Sequence, residues 1–305
     1  LVHYSPTIGS FVTITQESSF CIDLHCHSTA SDGALSPEDL VSRAVEKGVT
    51  HLALTDHDTV AGFARATAKA EAIGLSMISG TELSCVWRSQ TIHIVGLDFD
   101  LDNSAFQAAL ERQNANRWAR ARAISDKLSN TRIDDLLDKA TAHAGGDVPG
   151  RPHFARVLVD EGVVKDPAQA FKRHLGAGKP GDVKAFWPEL EEVVHWIVEA
   201  GGVAVLAHPR KYRLTATKLR ALVADFRRAG GRAMEVPTSG QSSGDLGFLA
   251  ELCRREKLLG SQGSDFHFPG APWCELGRIA KMPDGIEPVW HHFKTPLGQA
   301  GYSGA

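Results

Sequence analysis

The sequence contains no apolar run near the ~18–20 residues needed to cross a bilayer, so no membrane span is expected. It has no C-x-x-C pair. Its five cysteines (Cys21, Cys26, Cys85, Cys253 and Cys274) are odd in number and dispersed. Such a set argues against a disulfide scaffold and for reduced thiols in the cytoplasm. An excess of positive charge is also missing: the formal net charge is −3. Without a global basic field for bulk nucleic-acid binding, any recognition of anions must be local. Residues 1–20 have neither a basic start nor a continuous apolar stretch, so they do not read as a signal peptide. Being rich in Ser and Thr, they are expected to be a disordered leader. No repeat or low-complexity tract stands out, and nothing implies a stable protein partner. What is present is ordinary globular composition, 43% hydrophobic and 23% charged over 305 residues. That suits one large α/β domain, alone or with a smaller insertion.

Regular patterning begins at Cys21. A strand over 21–25 runs into a polar loop containing Asp32-Gly33, and Ser36-Pro37-Glu38-Asp39 opens a helix with an N-cap, a proline at the first position and acids in the first turn. Short buried-strand patterns follow at 51–55, 75–80 and 91–96, with a helix over 60–73. From 101 the strand signal fades. Residues 104–129 read as one long helix carrying Arg112, Arg117, Arg120 and Arg122, and helical pieces continue to 185. Strand–helix alternation then resumes, with strands at 203–207, 233–236 and 258–262. Seven strands separated mainly by helices are most economically an α/β fold of the (β/α) barrel kind with a parallel or mostly parallel core. The expected division is a barrel from 21–100 and 186–285, a helical insertion over 101–185, and a C-terminal tail over 286–305.

The chemistry sits at strand ends. In Asp23-Leu24-His25-Cys26-His27, the two histidines are two residues apart, so an extended strand points both imidazoles the same way. His57, Glu82, His208, Asp265 and His267 also lie at or just past predicted strands; His93 is mid-strand and Asp32 is on the first loop. In a barrel the strand C-termini converge on one face. Nine ligands are more than one ion needs, which points to two or three divalent metals sharing a bridging carboxylate. A shell of histidine and carboxylate accommodates manganese, zinc or iron, with manganese the leading expectation. Each residue also has an ordinary alternative: Asp32 as an Asp-Gly turn residue, His57 as a helix cap, His208-Pro209 as a turn. The other histidines (His51, His143, His174, His195, His291 and His292) lack this placement and read as structural or surface groups.

Taken together, Asp23–His27, Thr55-Asp56-His57-Asp58, Gly80-Thr81-Glu82, His93, Ala207-His208-Pro209 and Gly263-Ser264-Asp265-Phe266-His267 resemble the PHP (polymerase and histidinol phosphatase) family, part of the wider amidohydrolase-like group. The resemblance spans 21–267. It implies a distorted seven-stranded (β/α) barrel whose di- or trinuclear site hydrolyses phosphate esters. It also implies one metal on His25, His27, Glu82 and Asp265, a second on Glu82, His93 and His208, and a third on Asp32, His57 and His267. Asp32 stands where some relatives have histidine. The finer resemblance is to the 3′,5′-nucleotide bisphosphate phosphatases, a branch that includes 5′→3′ exoribonucleases acting on short RNA. It is carried by Gly150-Arg151-Pro152-His153-Phe154, Gly178-Lys179-Pro180, Met234-Glu235-Val236 and the helical insertion.

Under that resemblance, hydroxide bridging two metals is the nucleophile, with Asp265 and His267 as catalytic residues. A second phosphate needs its own cations. Arg151 and Lys179, in Gly/Pro-bounded loops, are the leading candidates, followed by Lys211, with His153 and Ser264 as further contacts. In His208-Pro209-Arg210-Lys211-Tyr212, relatives often have Gly then Arg before the Tyr. The expected substrate is a nucleotide with 3′- and 5′-phosphates, or short 5′-phosphorylated RNA. A histidinol-phosphate phosphatase and a metal-stabilised, non-catalytic PHP module are the alternatives.

Overall fold

The computed structural model describes residues 20–183, 187–295 and 297. Apart from Phe20, the expected leader lies outside the described residues, as do the expected boundary at 185/186 and the end of the expected tail.

The strands are β1 (Ile22–Asp23), β2 (His51–Ala53), β3 (Ser76–Ile78), β4 (Gly80–Trp87), β5 (Gln90–Leu97), β6 (Val203–Leu206), β7 (Ala233–Thr238) and β8 (Leu259–Gly263). The helices are α1 (Pro37–Glu46), α2 (Phe63–Ile73), α3 (Ser104–Lys127), α4 (Leu136–His143), α5 (Arg151–Asp160), α6 (Pro167–Ala170), α7 (Leu190–Glu199), α8 (Ala216–Arg228) and α9 (Ser243–Arg255). The fold is α/β. Strands β1-β2-β3 form one parallel sheet; β4-β5-β6-β7-β8 form another, antiparallel at β4/β5 and β5/β6 and parallel beyond. Backbone bonds join the sheets at two places. Leu24 N donates to Gln262 O (3.1 Å), and Cys26 bridges to Phe266. Past the end of β2, Glu82 N donates to Asp56 O (3.2 Å) and Asp58 N to Glu82 O (2.9 Å).

The sequence pattern predicts seven strands, whereas the described residues form an eighth, β4. Thr81, Leu83, Cys85 and Trp87 alternate with Glu82, Ser84 and Val86, and the strand returns through Arg88-Ser89 into β5. Both turn residues have positive φ (46° and 68°). Two-residue hairpin turns of this kind usually carry Asn or Gly, so Arg88-Ser89 gives no turn signal. Glu82 is therefore inside a strand rather than past the end of one.

The helices form for the reasons their ends suggest. Ser36 Oγ accepts from Asp39 N (3.1 Å), Pro37 opens α1, and Leu40, Val41 and Ala44 are its buried stripe. Asn103, Thr215 and Ser242 cap α3, α8 and α9 in the same way. Inside the strands, Ile22, Leu24, Ala53, Val95, Val205 and Ala233 pack together with Val289. Helix α3 belongs to two cores. Phe106 and Leu110 join the large cluster against α7, whereas Ala121 and Ile124 pack with Leu136, Phe154 and Leu158 of α4 and α5 in a separate cluster.

Phe154 is fully buried in that separate cluster. Phe154→Ala is expected to cost about 3–5 kcal/mol there. In a urea titration this should bring forward the loss of α4–α5 structure, read as early proteolysis between residues 130 and 180, ahead of global unfolding.

Candidate metal centre

The strand ends do converge. Beyond β1, the Cys26–Phe266 bridge fixes the chain so that His25 and His27 both face inward, fully buried. His25 Nε2 and His27 Nε2 stand 3.2 Å apart. Glu82 Oε2 is 3.3 Å from each, and Asp265 Oδ1 is 3.6 and 3.4 Å away. His25 Nδ1 lies 2.6 Å from Glu235 Oε1, a bond that aims Nε2 into this group. Ring nitrogens and carboxylate oxygens converge there, an arrangement that positive charge reconciles. Four ligands at about 2.1 Å from a tetrahedral ion stand about 3.4 Å apart, so the observed spacings fit a metal.

The other oxygen of the same carboxylate forms a second convergence. Glu82 Oε1 is 2.8 Å from His208 Nε2 and 3.0 Å from His93 Nδ1. A third gathers around Asp32 Oδ1, with His267 Nε2 at 3.4 Å, His57 Nε2 at 3.8 Å and His27 Nδ1 at 3.9 Å. His57 Nδ1 also reaches Glu82 Oε2 at 3.0 Å. All nine residues named from the sequence thus fall into overlapping groups able to hold ions. His27 Nδ1, Asp32 Oδ1, Glu82 Oε2 and His208 Nδ1 are buried with no hydrogen-bond partner among the described residues. Such atoms are costly unless something else satisfies them.

Electrostatics agrees with that geometry. Burial disfavours a charge on His25, but Glu235 and Glu82 outweigh it and push its pKa up to about 10. Burial and the nearby His267 push His27 down to about 3. A proton between the facing nitrogens is therefore held by His25, with Glu235 behind it, and a divalent ion bound among the same residues would displace that proton. Burial works against ionised Asp32 and Glu82; the neighbouring imidazoles, His57 foremost, hold both well below the usual carboxylate range. Burial brings His208 to about 4 despite Glu82.

Four further carboxylates hold the scaffold. Glu235 Oε2 accepts from His208 N (2.6 Å), so one side chain orients ligands from two strands. Asp23 accepts from Ser264 N and Gly277 N, both at 2.9 Å. Asp56 accepts from Ser28 N (2.8 Å) and from the Ser28 and Ser31 hydroxyls. Asp58 accepts from Ser84 N (2.6 Å), Gln113 Nε2 and Arg117 Nη1 (both 2.9 Å). Tyr212 Oη accepts from His93 N (2.9 Å) and donates to Ala207 O (2.9 Å), tying β5 to the end of β6. The sequence reading assigned none of these roles. A glutamate between Met234 and Val236 in an apolar strand is the signal that would have exposed Glu235, because a charge is buried there only with partners.

The expected substrate contacts are dispersed. Lys211 Nζ contacts Asp265 Oδ2. Ser264 is turned inward, its hydroxyl donating to His25 O (3.3 Å). Arg151 opens α5 half-exposed, 3.3 Å from Leu175 O and 3.9 Å from Asp182. His153 is buried, its Nδ1 accepting from Gly150 N (2.9 Å); burial lowers its pKa to about 4 although Asp32 pulls the other way. Lys179 is exposed in the turn leading to Asp182. Arg120, on the long helix α3, is only partly exposed. Burial, with Arg151 and Arg117 nearby, brings its pKa down to about 10.

Glu235→Gln is expected to weaken divalent-ion binding by about 10–100-fold, because the His25 imidazole and the His208 backbone lose their charged acceptor. Titration against a chelating dye reads this directly; unchanged affinity would remove Glu235 from the centre.

Comparison with known proteins agrees with this geometry. A model of the PHP domain matches residues 23–145. A 5′-3′ exoribonuclease of Haemophilus influenzae is 46% identical over 271 residues, 89% of this chain and 98% of that one. A 3′,5′-nucleoside bisphosphate phosphatase of Chromobacterium violaceum is 40% identical over 277 residues, 90% and 97% of the two chains. A solved structure of an amidohydrolase from Chromobacterium violaceum, with bound sulfate, superposes with a TM-score of 0.82 at 40% identity, covering 89% of this chain and 95% of that one. With a converging histidine–carboxylate centre and relatives this similar over nearly their full length, the chain belongs to the PHP family.

Proposed function

We propose that this protein is a metal-dependent phosphoesterase that removes the 3′-phosphate of 3′,5′-nucleotide bisphosphates and, by the same chemistry, releases 5′-mononucleotides from short 5′-phosphorylated RNA. The bisphosphate and RNA substrates are those named for the relatives from Chromobacterium violaceum and Haemophilus influenzae. Nine converging ligands suit two or three ions, with manganese the expected metal. When bound, such ions supply Lewis acidity and lower the pKa of coordinated water. We read the joined sheets as a distorted barrel, residues 101–185 as its inserted domain and 286–305 as its tail. Among the described residues, no helix is long and apolar enough to cross a membrane. Five unbridged thiols suit the cytoplasm.

The observation that carries the two-phosphate reading is the position of Arg120. Its side chain is only partly exposed, beside Arg151 and Arg117, and Asp58 and Asp182 are the carboxylates whose charge reaches it. It lies 3.4 Å from the Val183 carbonyl and 5.9 Å from the Trp187 ring. Three guanidinium groups that share Asp58 and Asp182 leave positive charge for an anionic ligand. This group borders the metal centre: Arg117 is bonded to Asp58, whose backbone N donates to Glu82 O. A 5′-phosphate on these arginines sets the 3′-phosphate over the histidines, so binding energy from the remote phosphate positions the reacting one. Asp265 divides its oxygens, Oδ1 toward His25 and His27 and Oδ2 toward Lys211. Oδ2 is placed to take the proton of the attacking water. Lys211 then offers its charge to the phosphate, and His267, fixed by its Nδ1–H to Asp265 O (2.9 Å), presents Nε2 beside Asp32. Lys179, exposed near Arg151, and His153 complete the substrate side.

The test compares 3′,5′-adenosine bisphosphate, 3′-AMP and histidinol phosphate in Mn²⁺, with phosphate release as the readout. The bisphosphate should be preferred over 3′-AMP by at least about 100-fold in kcat/KM, given that charge-assisted bonds contribute roughly 1.5–3 kcal/mol each. Arg120→Met should remove most of that preference and leave metal content unchanged. Equal rates on the three substrates would rule out a dedicated second-phosphate pocket.

A further inference from the structure

Two aromatic side chains lie open beside the metal centre. Phe268 is 55% exposed and Trp273 is 65% exposed. Rings of this size are ordinarily buried or kept for contacts with ligands. Both lie on the loop that follows β8. Phe268 directly follows His267, whose Nε2 is 3.4 Å from Asp32 in the third convergence. Trp273 directly precedes Cys274, whose Sγ lies 3.3 Å from the carbonyl of Ser264 and 3.6 Å from that of Asp265. Trp273 also rests on Gly240 past the end of β7. A Cβ added to Gly240 would stand 3.1 Å from the Trp273 carbonyl and 3.4 Å from its Cβ, and the φ of +68° there favours glycine. The loop carrying both rings is thus fixed through backbone contacts at the rim of the site, at the ends of β7 and β8.

The arginine group approaches from elsewhere. Arg117 reaches the centre through Asp58, beside β4. β4 and β8 are the two ends of the five-stranded sheet, with β5, β6 and β7 between them on one side and the chain past β1 and β2 between them on the other. In a 5′-phosphorylated RNA, the scissile phosphate lies between the first nucleotide and the second. If the 5′-phosphate sits on the arginines and the scissile phosphate at the histidines, the second nucleotide leaves toward β7 and β8, past Lys211.

We propose that Phe268 and Trp273 form a stacking platform for the base of the second nucleotide of a short 5′-phosphorylated RNA. This rests on the two-phosphate reading and deepens it. Every base has a π-face, so such a platform admits RNA of any sequence. A nucleoside bisphosphate has no second base and gains nothing from it. The exposed rings would therefore set the balance between the two substrate types.

The test uses the metal-loaded protein, with Phe268→Ala and Trp273→Ala made separately. Substrates are 5′-phosphorylated diadenylate, the same dinucleotide lacking its second base, and 3′,5′-adenosine bisphosphate. For each variant, the ratio of kcat/KM on diadenylate to that on the bisphosphate is expected to fall about tenfold, carried by KM, as loss of one base stack implies. The wild-type preference for diadenylate over its abasic counterpart should shrink by the same factor. Calorimetric binding of the two dinucleotides makes that comparison independent of turnover. An unchanged ratio, an equal loss on diadenylate and bisphosphate, or wild-type indifference to the second base would overturn the proposal. Failure of the wild type on the bisphosphate would instead strike the two-phosphate reading, and the two dinucleotides would still decide the platform.

Discussion

The Glu82 carboxylate is the point on which the site depends. It is fully buried, and its two oxygens face five imidazoles: His93 and His208 at Oε1, and His25, His27 and His57 at Oε2. One carboxylate cannot be desolvated among so many ring nitrogens without positive charge between them. Protons can supply some of that charge, as on His25, but they satisfy one nitrogen at a time. Divalent ions satisfy several, so the same residues that make a costly buried polar cluster in isolation make a compact shell around metal. The backbone fixes Glu82 independently of any ligand, because β4 exchanges hydrogen bonds with Asp56 and Asp58 on both sides of it.

The surrounding architecture keeps the ligands from relaxing away. Asp58, His208 and Asp265 have φ of 57°, 26° and 53°, a region that non-glycine residues seldom adopt. Each lies just beyond a strand, where the chain turns sharply to aim a side chain inward. Strain of this kind persists only where neighbours over-determine it, and here the neighbours are buried carboxylates. Asp58 collects Ser84, Gln113 and Arg117; Glu235 collects His25 and His208. Gly263 has a similar role in close packing, since a Cβ there would lie 2.2 Å from the His25 Cβ. Asp58 also links α3 to the centre, because Gln113 and Arg117 lie on that helix. The helix that joins the two cores therefore also ties the arginine group to the metal ligands.

Much of this was legible in the sequence, and the limits have physical causes. The convergence of the nine candidate ligands could be expected because metal chemistry restricts residue type and because His-x-His, Asp-His-Asp and Asp-Phe-His recur where apolar strand patterns stop. The start of α1 could be read from Ser36, Pro37 and the acids that follow. Strand β4 could not, since Arg88-Ser89 adopts left-handed turn geometry without a residue that signals it. Arg120 was hidden because its burial depends on helices distant in sequence, and an arginine on a polar helix ordinarily faces solvent. Glu235 was hidden for a related reason: only the folded structure places His25 and His208 against one carboxylate.

As proposed, the buried Glu82 carboxylate would join several metal ions into one centre. The most direct test is the number of manganese ions per chain, counted by elemental analysis after saturation and removal of excess, in the wild type and in Glu82→Gln. The substitution keeps shape and removes charge, and circular dichroism would check that secondary structure is retained. Two or three ions in the wild type, with more than one lost in Glu82→Gln, is the predicted result. A single ion in the wild type, or full retention in the variant, would contradict the account.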